Sequence, residues 1–411
     1  MTKRPEGLAG RGVAAEARRF PRVLYYSPLP PSRSGIADYS ALLLPALAER
    51  VEVVVARPGR LRRPVFRPGG TGSAGASGNA RFRREPKADV CLYHVGNDPD
   101  AHGWIVEAAR RRPGVVVLHE FVLHHLVSGL TLARGDVDGY LAALEREGGL
   151  VGRLLGHAVV DARIDPLWET RPQDFPLAAG ILELATGLVV HSRFVEGLAR
   201  DAGYDGPIWR IPMAAWPVPA VRPAAVEGSP LIGCFGHINE SKRIPQLVSA
   251  FARFCERRRD ARLLLVGSAA ERFLLPELPE GVIRRDYVPE EELWALMAAC
   301  DVCVSLRAPT MGETSAVAIR ALSVGKPLVV SDVGWFRELP DEVAIKVPVG
   351  DGEIEALETA FERAAASPEM GAAALRLAQT EHDLGHVADL YAAALAEAAA
   401  GSRLSLTGSA A

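Results

Sequence analysis

The sequence predicts an α/β protein made of two doubly wound, Rossmann-like halves facing a central cleft. Three observations predict it. Short, almost wholly apolar runs of strand length alternate with helical stretches from Arg22 onward. Strands without a polar face belong in parallel sheets covered by helices on both sides. The alternation is interrupted by AAWPVPAVRPAAVEGSP (214–230), which is rich in Pro and Ala and reads as a linker. The length of 411 residues suits two domains.

The elements follow in order. RVLYYSP (22–28) reads as a buried strand, IADYSALLLPALAE (36–49) as a helix and VEVVVA (51–56) as a second strand. Residues 57–87 hold nine Lys or Arg and one Glu around a Gly/Ser/Ala centre. So little apolar surface predicts a flexible basic insertion, suited to a solvated loop or to peripheral contact with an anionic membrane. Strands resume at VCLYHVG (90–96) and GVVVLHE (114–120) with a helix between them. A helical region (about 121–186), TGLVVHS (186–192), another helix and PIWRIPM (207–213) complete the first half.

Beyond the linker, strands are expected at 231–238, 262–268, 282–288, 302–306, 327–332 and 343–347. The domain reading is a disordered basic N-terminus (1–21), an N-terminal domain (22–215), the linker (216–230) and a C-terminal domain (231–383). A helix (384–400) then packs back across the domains, before a disordered tail (401–411).

Composition narrows the function. A net charge of −3 gives no reason to expect nucleic-acid binding. No apolar run has the ~18 residues of a membrane span, and the N-terminus lacks the apolar core of a signal peptide. Five Cys make no disulfide framework, and Cys300 and Cys303 form a CxxC without the second pair that zinc wants. They read as buried core residues of a protein in a reducing cytoplasm, at most peripheral to the inner membrane face.

Four loops after strands hold polar residues or glycine, and ligands of doubly wound sheets bind at such strand ends. In SPLPPSRSGIADYS (27–40), Ser34 and Gly35 stand where a helix begins, and Gly allows close backbone approach. LHEFVLHH (118–125) offers His119, Glu120, His124 and His125, but not the i, i+4 histidine spacing of a zinc hydrolase. No metal is expected there; His119, ending a strand, suits a hydrogen bond to substrate or to a backbone carbonyl. FGHINESKRIPQLVSAFARF (235–254) places Gly236, Lys242 and Arg243 at a strand end and helix start, a setting for a diphosphate. In PTMGETSA (309–316), Glu313 falls at or near a helix N-cap, with Thr314 and Ser315 offering N–H and hydroxyl donors to an anion.

These segments resemble those of the family 4 glycosyltransferases, also called group 1, which are retaining enzymes of the GT-B fold. SPLPPSRSGIADYS resembles the family's N-terminal glycine loop on the acceptor side. FGHINESKR resembles the opening of its C-terminal domain, and PTMGETSAVAIRALSVGKPLVVSDVG its donor-binding segment. The resemblance spans about residues 22–396. It implies that Glu313 contacts the donor sugar, Lys242 the phosphates, and His119 the sugar from the opposite domain.

Two positions depart from the pattern. His237 stands where the family has Arg, and Arg320 where it has the ribose-binding Glu, so Arg320, Arg307 or Arg243 is a candidate for the missing positive charge. The implied activity is retaining, metal-independent transfer of a hexose from a nucleoside diphosphate sugar to an acceptor hydroxyl, in polysaccharide, glycolipid or other glycoconjugate synthesis. A non-catalytic nucleotide-sugar-binding protein, or a GT-B epimerase or phosphorylase, is the alternative.

Overall fold

The computed structural model describes residues 20–32, 34–57, 62–66, 78–81, 86–271 and 273–408, with 62–66, 78–81 and 402–408 described by their backbone. Two sheets form the molecule. The first contains β1 (Arg22–Tyr26), β2 (Glu52–Val55), β3 (Arg62–Phe66), β4 (Gly78–Arg81), β5 (Val90–Val95), β6 (Gly114–Leu118), β7 (Ala185–Val190) and β8 (Ile208–Arg210). The second contains β9 (Leu231–Phe235), β10 (Arg262–Val266), β11 (Val282–Arg285), β12 (Val302–Ser305), β13 (Leu328–Ser331) and β14 (Ala344–Val347).

The second sheet is parallel throughout, in the order β11-β10-β9-β12-β13-β14. The first runs β4-β3-β2-β1-β5-β6-β7-β8 and is parallel from β2 to β8. Winding reverses between β1 and β5, and again between β9 and β12. Those two points set the ligand crevice of each half. Apolar strands give this arrangement because both faces are buried: β5, β6 and β9 are buried at every position.

Every strand expected from the sequence is present, and two more appear. β3 and β4 form an antiparallel hairpin on the edge of β2, inside the segment expected to be a flexible basic insertion. The correction has a backbone cause: without them β2 would be an edge with unpaired N–H and C=O groups, and pairing there needs no apolar composition. Residues 58–61, 67–77 and 82–85 of that insertion lie outside the described residues, as do 1–19 of the expected disordered N-terminus. The tail expected at 401–411 is also corrected. The last helix is Leu384–Gly408, and only 409–411 lie outside the description. Once a helix is nucleated each added residue gains a hydrogen bond, and no Pro interrupts GSRLSLT.

The final helix ties the halves together. It packs on Gly35–Ala48, where Arg50 pairs with Asp389 at 2.5 Å, and Trp209 Nε1 of β8 donates to Glu397 at 2.9 Å. One apolar cluster runs from Val23 and Tyr25 through Trp216 to Phe235, Trp335 and Leu395, joining both domains and this helix. Cys300 and Cys303 are buried free thiols in that cluster. Among the described residues no helix is long and apolar enough to cross a membrane.

Candidate functional site

The loop after β12 is organised around an ion pair. Arg307 is fixed by its N–H to Ser331 Oγ at 2.9 Å and by Nη1 to Ser241 Oγ at 2.7 Å. Its Nε lies 2.6 Å from Glu313 Oε1. Glu313 Oε2 accepts the Met311 N–H at 2.7 Å and the Thr310 hydroxyl at 3.2 Å. The expected capping role of Glu313 is therefore corrected. Ser315 is the N-cap of the helix Ala316–Ser323, its Oγ accepting the Ala318 N–H at 3.2 Å, while Glu313 folds onto its own loop. A shorter side chain at the cap reaches the free N–H groups without leaving the helix axis. Thr314 is 7% exposed, and its Oγ1 has no hydrogen-bond partner among the described residues. A buried hydroxyl left so costs about 1–3 kcal/mol, a loss that a ligand oxygen would recover.

Lys242 joins this loop from the segment after β9. It ends a short 3-10 turn, is 7% exposed, and has its pKa pushed down to about 8 by burial and by the Arg307 charge. Gly236 makes the approach possible. Its φ of +96° favours glycine, and a Cβ there would stand 3.1 Å from Val317 Cγ2 and 3.8 Å from Lys242 Nζ. Gly236, Lys242 and the helix start thus come together as the sequence suggests.

Other expected residues lie differently. Arg243 is occupied by Glu353, with Nε 3.0 Å from Oε1 and Nη2 bonded to Oε2. Glu353 is 1% exposed and needs that counter-charge, so two nitrogens of the Arg243 guanidinium are engaged there. His237 is exposed, its Nδ1 3.3 Å from Ser268 Oγ. Arg320 stacks over Trp216 with its guanidinium carbon 4.0 Å from the ring centroid, and Nη2 lies 3.6 Å from Glu290. Of the candidate arginines, Arg307 is the one built into the loop of Glu313. In the first domain, Ser34 Oγ caps Gly35–Ala48 by accepting the Ile36 N–H at 3.3 Å. A Cβ at Gly35 would meet nothing within 4 Å, so packing does not demand glycine there.

The opposite wall is imidazole and phenol. His119 Nε2 and His94 Nδ1 are 2.9 Å apart, and His191 and Tyr39 stand with ring centroids 5.1 and 5.5 Å from His119. Burial holds His94 and His119 well below the usual imidazole range and His191 at about 4. All three rings are neutral at pH 7. His94 Nε2 and His191 Nε2 are buried without partners among the described residues. Sequence reading picked out His119 alone. The signal for the others is a repeated one: β5, β6 and β7 are apolar runs, each with one His in its last position but one or just beyond its end. His124 is a satisfied core residue, with Nδ1 on Phe175 O at 2.8 Å and Nε2 on Tyr140 Oη at 2.9 Å. Among the described residues no group of three or more His, Cys, Asp or Glu is placed to hold a metal ion.

The two walls touch. Phe121 and Val122 N–H both donate to Met311 O, at 2.8 and 3.0 Å, and Gln173 Nε2 donates to Thr310 O at 2.7 Å. Glu338 of the second domain accepts the Arg193 and Phe194 N–H groups at 2.9 and 2.7 Å, completing the first turn of the helix Arg193–Asp201 in the first domain. Gly312, at φ +84°, lies where a Cβ would be 2.9 Å from Phe121 Cβ. The site is thus assembled from both halves.

Comparison with known proteins agrees with the fold. Residues 229–367 match the family of glycosyl transferases group 1. The sucrose-phosphate synthase of Thermosynechococcus elongatus is similar in structure, with 18% identity and a TM-score of 0.60 over 92% of this chain and 100% of that one. HepE of Anabaena, solved with UDP and glucose, gives 15% identity and a TM-score of 0.55 over 92% and 100%. The same protein solved with UDP-glucose gives 15% and 0.54 over the same shares. No curated protein matches the chain. These likenesses define the fold as GT-B, two Rossmann-like domains, with residues 229–367 matching a group 1 glycosyl transferase domain.

Proposed function

We propose that the chain moves a hexose from a nucleoside diphosphate sugar to an acceptor hydroxyl with retention of configuration, without a metal ion, in glycoconjugate synthesis. The observation that carries this reading is the convergence of Lys242, Arg307 and the unpartnered Thr314 hydroxyl at the start of the helix Ala316–Ser323. The leaving diphosphate gathers negative charge as the glycosidic bond breaks. Fixed cations and helix N–H groups stabilise that charge without reorganising.

Glu313, oriented by Arg307 and the Met311 N–H, accepts hydrogen bonds from the sugar. His119 serves the same sugar from the opposite domain. Its neutrality matters, because a protonated imidazole would oppose the positive character developing at the anomeric carbon. The UDP and UDP-glucose bound by HepE make a UDP-hexose the first donor to try.

The test is release of UDP from UDP-hexoses with an acceptor panel, in EDTA, followed by NMR of the product anomer. Turnover in EDTA with retention supports the reading. UDP binding without release points to a non-catalytic protein, inorganic phosphate acting as acceptor to a phosphorylase, and release only with added divalent ion refutes metal independence.

A further inference from the structure

One interdomain hydrogen bond has a carboxylate at each end. Phe121 N–H donates to Met311 O at 2.8 Å. Glu120 precedes Phe121 in the chain, and the N–H of Met311 holds Glu313. The two carboxylates are provided for very unequally. Glu313 has a guanidinium, a backbone N–H and a hydroxyl. Glu120, half-buried beside His119, has one hydrogen bond among the described residues, from the Asn97 N–H at 3.4 Å. A desolvated carboxylate in that state needs donors from outside the protein.

We propose that Glu120 is a second donor-sugar carboxylate, supplied by the N-terminal domain, which accepts hydrogen bonds from sugar hydroxyls and excludes sugars that carry a carboxylate. The inference rests on the reading of the site as one for a nucleotide sugar. It adds the substrate class: neutral hexoses are taken and uronic acids are rejected, because a third negative charge beside Glu120 and Glu313 is repelled.

The surroundings also make the selection depend on pH. Burial and the Glu313 charge raise the Glu120 carboxyl to about 7; the Asn97 N–H and Arg307 act the other way, and Asp98 adds to the rise. Below pH 7 the group is protonated and can donate as well as accept. Above it the full negative charge is present, and rejection of uronic acids is strongest.

The experiment compares wild type with Glu120→Gln, using UDP alone, UDP-glucose and UDP-glucuronic acid at pH 6 and 8. UDP should bind both proteins equally, by calorimetry, since the diphosphate lies against the other domain. The variant should lose about tenfold in kcat/KM for UDP-glucose, the usual consequence of losing a charge-assisted hydrogen bond. Its preference for UDP-glucose over UDP-glucuronic acid should narrow about tenfold, and the inflection near pH 7 should disappear. If UDP binds both proteins while preference and pH profile stay the same, Glu120 has no contact with the sugar and the inference fails alone. If wild type does not bind UDP, the UDP-hexose reading falls and this inference falls with it.

Discussion

The two sheets wind in the same way, yet they carry opposite chemistry at the ends of their strands. The C-terminal half presents Lys242, Arg307 and an unpartnered hydroxyl at a helix start. The N-terminal half presents His94, His119 and His191, all neutral, packed with Tyr39. One wall carries fixed positive charge, suited to an anion; the other carries neutral imidazoles, suited to directional hydrogen bonds. The difference teaches that topology locates a crevice, while side chains on a few strand ends decide which part of a ligand each wall takes.

The largest effect should come from the residue that works between the walls. Glu313→Ala should reduce kcat about 100-fold or more while UDP affinity holds, the scale seen when one fixed polar partner of a reacting group is removed. The side chain sits in a loop, so the fold should survive, as circular dichroism would show. Near-normal kcat in a folded variant would refute its sugar-orienting role.

Lys242→Met tests the charged wall. Losing a charge-assisted hydrogen bond costs ~1.5–3 kcal/mol, so UDP should bind about tenfold more weakly or worse. Wild-type affinity should itself decline above about pH 8, where the depressed ammonium loses its proton. A flat pH profile, or equal affinity in the variant, would place Lys242 away from the diphosphate.

Glu338→Ala tests whether the walls must meet. Removing a helix cap costs ~1 kcal/mol, here across the domain seam, so the ratio of closed to open molecules should fall about fivefold. Small-angle scattering with UDP bound should show a larger radius of gyration, and kcat/KM should fall by a similar factor with UDP affinity unchanged. An unchanged radius and rate would make Glu338 a local cap only.

The smallest effect concerns the neutral wall and acid. The unfolded chain protonates histidine near 6.5, whereas native His191 resists to about 4. Between those values the unfolded state binds more protons, so stability falls as pH drops through 6.5. At pH 5 the loss from a histidine shifted this far is ~2 kcal/mol. Tm should decline between pH 7 and 5, and His191→Gln should lessen the slope; an equal slope in that variant would mean His191 is protonated in the native state.

The sequence by itself determined the two parallel α/β sheets and the strand-end loops that hold Gly236, Lys242 and Glu313. Apolar periodicity and Pro/Gly punctuation are local properties, and burial on two faces leaves a continuous apolar run. The hairpin of β3 and β4 was not legible, because it is held by the open backbone edge of β2 and not by its own composition. Tertiary structure alone decided which charges are available. Arg243 and Arg307 are alike as residues, but buried Glu353 engages the first while Ser241, Ser331 and Glu313 plant the second in the loop after β12. It likewise gathered three histidines separated by up to 97 positions into one wall, and set Glu120 against Glu313. The physical reason is that a pairing partner, a dielectric environment and a neighbouring charge are properties of position in space, and residue type fixes none of them.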